Sequence, residues 1–377
     1  MSRRASGEGT IGQRADGMWY AALRIDGRRV WFRSKKRGEV VQKLRDAQVA
    51  RAEGRLISTS SQSVADYLRA WLENYVAPAV EATTFTSYET NVRRIVPILG
   101  RHRLDKLRGI HLQQCYKRLL ESGLSPRTVA QAHRVLRRAF NQAVSAGIIA
   151  RNPCKEATPP RAENRKMNVL SAAQAQRLIA GSRDHRHHAL FVLLLTSGMR
   201  VGEATGLRWQ DVDLDARKTV IRQTVRREKG KGLQIAEPKT DRSRRSVFLA
   251  PGAVAALRRH RWHQKSERLK AGPAWVDEDL VFCTQTGGRL DPGHIIKSLR
   301  ALLRTLDLPD QLTCHDLRHS CASILLAQNV HPKVVQELLG HSSITVTLDI
   351  YSHVVEGLHQ DVARRMDELF LPEQEVS

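Results

Sequence analysis

The spacing of apolar positions changes character twice along the chain. Near the start, Trp19, Ala21, Leu23 and Ile25 alternate with their neighbours, and Asp26-Gly27 has the composition of a tight hairpin turn. Val30 and Phe32 then resume the alternation, which predicts two antiparallel strands. Over 36–53 the period becomes helical, with Val40, Leu44 and Ala47 on one side. A polar stretch at 57–63 reads as a linker, and beyond it the pattern is helical throughout. Val64, Leu68, Trp71 and Leu72 form one stripe, and 110–120 predicts a further helix. Ser125-Pro126 supplies the N-cap and first-turn pair of a helix reaching about Ala146 and closed by Gly147. A second linker, rich in proline and charge, runs from Asn152-Pro153 through Pro159-Pro160 to about Lys166. After it, Ser171 predicts the cap of a helix to about Ala180, and 190–196 predicts another. Strand-like runs fall at 219–224, 246–249 and, more briefly, 280–282, before helices dominate again, one of them from about His315 to Gln328. The fold class these patterns predict is mainly α with small β elements (α+β). It comprises a small N-terminal sheet plus helix over 1–57, a helical domain over 63–150 and a mixed α/β domain over 167–377.

Length and charge narrow the function. At 377 residues the chain is too long for one ordinary domain. The longest purely apolar run, 189–195, is far too short for a membrane span, and the N-terminus has no apolar core like that of a secretion signal. A cytoplasmic protein without a membrane partner is expected. Lysine and arginine number 62 against 38 acidic residues, a net charge of +24. An excess of this size favours a polyanionic partner, nucleic acid first. The surplus is spread along the chain: residues 1–60 hold 14 basic and 6 acidic side chains, a local excess of 8. The five cysteines are widely spaced and form no C-x-x-C, so neither a disulfide framework nor a zinc knuckle is indicated. They are expected to be reduced packing residues.

Two basic clusters stand where double-stranded DNA could be met. Arg24, Arg28, Arg29 and Arg33 occupy the hairpin, and Arg127, Arg134, Arg137 and Arg138 lie on or near the helix after Ser125. The short sheet could instead be a dimerisation or packing module, and the helix could present a solvated basic face; the overall charge favours a sheet laid in a groove and a helix on phosphates.

Four segments of the third domain share one chemical logic. Thr196-Ser197-Gly198-Met199-Arg200-Val201-Gly202-Glu203 would set Arg200 at a helix start with Glu203 one turn later. Pro238-Lys239-Thr240-Asp241-Arg242-Ser243 is a polar turn between strands that would hold Lys239 at a loop tip. His315-Asp316-Leu317-Arg318-His319 places His315, Arg318 and His319 along one side of a helix. Leu339-Gly340-His341 is followed ten residues on by Tyr351. Each has an ordinary explanation alone. Arg200 could be a surface ion pair with Glu203, Lys239 an exposed turn residue, and Tyr351 a core tyrosine. His315 and His319 have metal-ligand spacing, but no acidic base sits between them as in a zinc-protease helix. Order and spacing are what distinguish the set.

In that order and spacing the chain resembles the tyrosine recombinase (phage integrase) family, whose pattern is an Arg in T-x-G-x-R-x-G-E, a hairpin Lys, an H-x-L-R-H box, an L-G-H, and a Tyr about ten residues later. The resemblance covers the third domain closely, the second by its helical pattern, and the first as an arm-site-binding domain. It implies that 1–57 binds arm sites, 63–150 binds the core site and 167–377 is catalytic.

The resemblance implies a DNA strand transferase that needs neither metal nor ATP nor any other cofactor. Arg200 and Arg318 would neutralise a phosphodiester by forking onto its non-bridging oxygens. Tyr351 would be the nucleophile, giving a 3′-phosphotyrosyl link and freeing a 5′ hydroxyl. Lys239 would protonate the leaving oxygen, His315 would assist deprotonation of Tyr351, and His341 would hydrogen-bond the phosphate. Glu203 and His319 would support them. The implied assembly is a homo-oligomer, a tetramer on DNA at the bacterial nucleoid, with an amphipathic C-terminal stripe (Val354, Val355, Leu358, Val362) docking on a neighbour. A host DNA-bending protein or directionality factor could join it. A type IB topoisomerase shares the chemistry, but the arm-like first domain and the separate helical domain favour recombination. A non-catalytic DNA-binding regulator or architectural protein would leave the ordered Arg, Lys, His, Arg, His, Tyr series without a purpose.

Overall fold

The computed structural model describes residues 9–25, 28–52, 62–162, 168–228, 230–237, 244–341, 343–348 and the single positions 366 and 370. The turn Asp26-Gly27, Lys239, Tyr351 and the stripe Val354, Val355, Leu358 and Val362 lie outside the described residues. The chain divides into two compact units, Met1–Asn164 and Arg165–Ser377.

The N-terminal hairpin forms with the predicted register and gains a strand. β2 (Trp19–Ile25) pairs antiparallel with β3 (Arg28–Ser34), setting Ala21 opposite Phe32 and Leu23 opposite Val30. β1 (Thr10–Gln13) adds to the free edge of β2, an element too short and too polar to show in the apolar pattern. α1 (Arg37–Ala52) lays Val40, Leu44 and Ala47 on Ala21 and Leu23, so the alternating and helical periods meet in one small core. Because successive strand residues face opposite ways, the other side of the sheet carries Tyr20, Arg24, Arg29, Trp31 and Arg33.

The helical body starts at Ser63, which was counted in the polar linker but is the N-cap of α2 (Val64–Trp71), its hydroxyl accepting from the Asp66 amide. α2 runs into one π-turn, Leu72–Val76, and α3 (Ala82–Leu99), α4 (Gly109–Glu121) and α5 (Pro126–Ser145) follow. Ser125 caps α5 and Gly147, at φ 67°, lies just beyond its end. Trp71, Ile95, Leu99, Leu112, Tyr116, Leu136 and Phe140 fill the core. At about 1.5–3 kcal/mol for each large apolar side chain removed from water, this cluster dominates the stability of the body. The stretch read as the second linker begins as structure. Pro153–Glu156 is a 3-10 turn whose Cys154, with Ala157 after it, packs into the same core, while Asn152 donates to the Arg137 carbonyl and the Asn141 side chain. Proline content suggested a spacer; the buried apolar partners decide otherwise.

In the second unit α6 (Ala172–Gly181) is capped by Ser171 with Gln174 returning the bond. α7 (His188–Ser197) is apolar on every side and lies within the core. α8 (Val201–Thr205), the strands β4 (Val212–Asp213), β5 (Lys218–Val220), β6 (Thr224–Glu228), β7 (Gly232–Ala236) and β8 (Ser246–Phe248), and the helices α9 (Pro251–Ala271), α10 (Pro292–Thr305), α11 (Cys314–Ala327) and α12 (Pro332–Leu339) follow. β4, β5 and β8 form one antiparallel sheet, β6 and β7 a separate hairpin. The run 219–224 is therefore two strands in two sheets, broken where Ile221 turns into the core. The run 280–282 is no strand either, being joined to the rest by a single bridge from Leu280 to Arg208. Its buried carbonyls are met by side chains instead: Gln264 donates to Leu280 (2.8 Å), and His260 Nε2 lies 2.8 Å from the Val281 oxygen. All five cysteines are free and buried.

Candidate active site

α7 ends on Gly198 in the left-handed conformation, φ 62°, and the chain reverses through buried Met199 into α8 with Arg200 at its N-cap. Both glycines flanking Arg200 are required by close approach. A Cβ on Gly198 would sit 2.3 Å from Cδ2 of Leu339, and one on Gly202 would sit 2.6 Å from Thr224 Oγ1 and 2.8 Å from the Val225 carbonyl. α12 and β6 thus pack directly on the segment that aims Arg200. Its guanidinium donates to Glu203 Oε1 at 2.6 Å, and its amide to Oε2 at 3.0 Å. This is not a surface pair: the Glu203 side chain is 4% exposed. Arg245 completes the shell, donating to both Glu203 oxygens at 3.3 and 3.0 Å and to the Leu338 carbonyl at 2.8 Å. Burial raises the Glu203 pKa, but Arg245 and then Arg200 outweigh it and hold the carboxyl below its ordinary value.

The H-x-L-R-H box lies at the start of α11, which begins at Cys314, one residue before the start predicted at His315. Asp316 closes its capping box by accepting from the Thr313 amide and hydroxyl, each at 2.7 Å. Arg318 is only 1% exposed and donates from Nη1 to the Gly198 carbonyl at 2.8 Å, while its Nε and Nη2 have no partner among the described residues. Burial, then the charge of Arg200, lowers its pKa to about 9, so it is still a cation at neutral pH. His315 and His319 meet edge to face with ring centroids 4.6 Å apart. Beyond α12, Gly340 takes a left-handed cap and His341 folds back, exchanging bonds with Gln336 and placing Nδ1 3.0 Å from Thr347 Oγ1. Burial lowers the pKa of His315, His319 and His341, and Arg318 acts in the same direction on all three; His341 falls to about 4.

Six of the predicted site residues, Arg200, Glu203, His315, Arg318, His319 and His341, are thus gathered from three distant segments into one electropositive cluster. Lys239 belongs to the chain between β7 and β8, and it and Tyr351 are outside the described residues. Arg245 was missed, although one signal pointed to it: it stands two residues before buried Val247 and so in phase with the inward face of β8.

The predicted DNA contacts belong to the first unit. Arg24, Arg29 and Arg33 are exposed on the free face of the N-terminal sheet, where Arg29 stacks on Trp31 (5.0 Å) and Tyr20 lies 5.5 Å from the same ring. Arg28 belongs to β3 by its backbone; its side chain is outside the described set. Arg127, Arg134, Arg137 and Arg138 are all exposed on α5. Arg127 and Arg134 line a groove of about 750 Å³ together with Thr83, Thr86, Ser87, Thr90 and Arg94 of α3, a wall the apolar pattern had not singled out. Arg138 bonds the Tyr88 hydroxyl and covers its ring.

The phage integrase family model matches residues 168–357, and the model for the phage integrase N-terminal SAM-like domain matches 63–120. The chain belongs to the phage integrase family. It is a tyrosine recombinase, an enzyme that cleaves and rejoins DNA strands. The recombinase is 27% identical to an integrase of Saccharopolyspora erythraea over 98% of both chains. It is 29% identical to a tyrosine recombinase XerC-like protein of Caldanaerobacter subterraneus subsp. tengcongensis over 82% of this chain and 84% of that one. Among solved structures it is similar to the Tn1549 transposon integrase in complex with transposon right end DNA, at 25% identity and a TM-score of 0.70, covering 82% of this chain and 99% of that one. A lambda integrase tetramer bound to a Holliday junction shares the fold at 15% identity, with a TM-score of 0.55 over 92% and 96% of the two chains. The α+β class expected from the sequence agrees with these neighbours.

Proposed function

We propose that the recombinase integrates and excises a phage or other mobile element, with Tyr351 as nucleophile and Arg200, Lys239, His315, Arg318 and His341 as its catalytic partners. The observation that carries this reading is Arg318. A guanidinium buried to 1% exposure with two donating atoms unpartnered among the described residues is costly unless an anion completes it. A phosphodiester supplies the missing acceptors, and Arg200, already fixed by Glu203, supplies the second cation.

The reaction then balances without external energy. The Tyr351 oxygen attacks phosphorus as His315 accepts its proton, the bond to the 5′ oxygen breaks, and Lys239 protonates that oxygen. The 5′ hydroxyl of a second strand reverses the step. The lowered pKa values of His315 and His341 keep both rings neutral at pH 7, the state a base and a single-proton donor need. When His341 Nδ1 accepts from the Thr347 hydroxyl, the proton resides on Nε2, which then donates to a phosphate oxygen.

The same reading assigns 1–57 to arm sites, 63–150 to the core site and 167–377 to catalysis. The basic and aromatic face of β2 and β3 supports the first assignment, and the arginine and hydroxyl groove between α3 and α5 the second. The working form is a tetramer on DNA in the bacterial cytoplasm, at the nucleoid, open to a host bending protein or directionality factor. A transposon integrase among the similar structures, that of Tn1549, supports an element's own enzyme over a resident resolvase.

The test uses a nicked duplex carrying a candidate attachment site, run on a denaturing gel. The wild type is expected to give a protein–DNA adduct that persists in chelator, and Tyr351→Phe to bind the same duplex without one. Tight binding of a validated site by the wild type with no adduct would leave a binding-only role.

A further inference from the structure

We infer that Arg245 is a positioning residue that locks Arg200 and His341 into one active geometry. This rests on the reading of those two residues as catalytic. A single guanidinium bridges two segments distant in sequence. Its Nη1 and Nη2 hold the two oxygens of Glu203, the carboxylate that in turn grips the side chain and the amide of Arg200. Its Nε donates to the carbonyl of Leu338, at the end of α12 and three residues before His341. Arg245 immediately precedes β8, and its carbonyl accepts from the Ile221 amide at 3.0 Å. The Arg245 side chain is 9% exposed and its three donating nitrogens are taken up by Glu203 and Leu338, so it acts through them and not on the substrate itself.

The fork geometry matters as much as the charge. Three donors of one planar group meet three fixed acceptors, which a lysine ammonium on a flexible stem cannot reproduce. Without Arg245 the Glu203 carboxylate would keep only Arg200 among the described residues, and would be free to draw that side chain away from the phosphate. The end of α12 would lose its tie to Glu203. Misplacement of a reacting group by about 1 Å costs on the order of 100-fold in rate.

The experiment measures single-turnover adduct formation on nicked attachment-site DNA for full-length Arg245→Met, Arg245→Lys, Glu203→Gln and the Arg245→Met/Glu203→Gln pair. DNA affinity and thermal melting are recorded for each protein. Arg245→Met is expected to slow adduct formation about 100-fold with DNA affinity within about twofold of wild type. Arg245→Lys should recover part of the rate. The pair should lose no more than the worse single variant, because both act through one linkage. The pH profile provides a readout that mere loss of packing would not move. With Arg245 gone, burial is opposed only by Arg200, so the acidic limb of the Arg245→Met profile should shift to higher pH. Arg200→Ala serves as the reference. If it reacts at the wild-type rate, the catalytic reading beneath this inference fails. If Arg200→Ala is inactive while Arg245→Met and Arg245→Lys react like wild type, or if the two losses simply multiply, the positioning role is overturned and the active-site reading stands.

Discussion

At the scale of single residues, the site is built from groups held away from their comfortable state. Arg318 keeps two donors inside the protein that are unpartnered among the described residues, each costing about 1–3 kcal/mol relative to a satisfied group. Arg318→Met should therefore raise the unfolding free energy of the DNA-free protein by about 1 kcal/mol, net of the lost Gly198 bond, while abolishing the adduct. Chemical denaturation checks the first half, and a destabilised variant would show that the guanidinium is satisfied in some other way. The histidines carry a pH signature. His341 titrates near 4 in the fold against 6.5 when exposed, so between those values the unfolded chain binds the extra proton. Stability is then full above about pH 6.5 and declines as pH falls toward 4, with His315 and His319 contributing in the same direction. Denaturation midpoints across pH 4 to 7 should follow this slope, and His341→Gln should flatten it.

At the scale of elements, two glycines decide how closely helices and strands can be assembled around Arg200. Gly198→Ala combines a left-handed backbone with a Cβ driven into Leu339, and is expected to cost about 2 kcal/mol of stability and to slow adduct formation, both read on one purified variant. Much of this level was legible beforehand. The periods around Val40, Val64 and Ser125 gave α1, α2 and α5 because each helix buries a face against one core, and a local pattern carries that information. The runs at 219–224 and 280–282 misled because strand assignment depends on a partner. Ile221 turns inward, and Leu280 and Val281 are served by Gln264 and His260, none of which β-propensity reports. Within the site, Arg200, Arg318 and His341 were visible through motif order. Arg245 has no motif; its role exists only where Glu203 and Leu338 converge on it.

At the scale of the molecule, the charge surplus and the two units set how the protein meets its substrate. Binding to DNA should weaken steeply with salt, by about 0.9 log units per log unit of salt for each phosphate neutralised. The Arg127→Ala/Arg134→Ala variant should lower that slope by about 2 and weaken binding of all sequences alike, measured by anisotropy titrations at several salt concentrations. A slope unchanged from wild type would remove the α3–α5 groove from the DNA interface. The five buried thiols offer a further consequence. Cys115 and Cys154 lie in the first unit and Cys283, Cys314 and Cys321 in the second; burial pushes Cys115, Cys154 and Cys314 up to about 12, and Cys321 to about 11. Native thiols this protonated and this enclosed react with an alkylating reagent only when their surroundings open. The chain therefore carries two built-in clocks for local opening, read separately by mass spectrometry, and DNA seated on Arg318 should slow the one kept by Cys321, a single helical turn away.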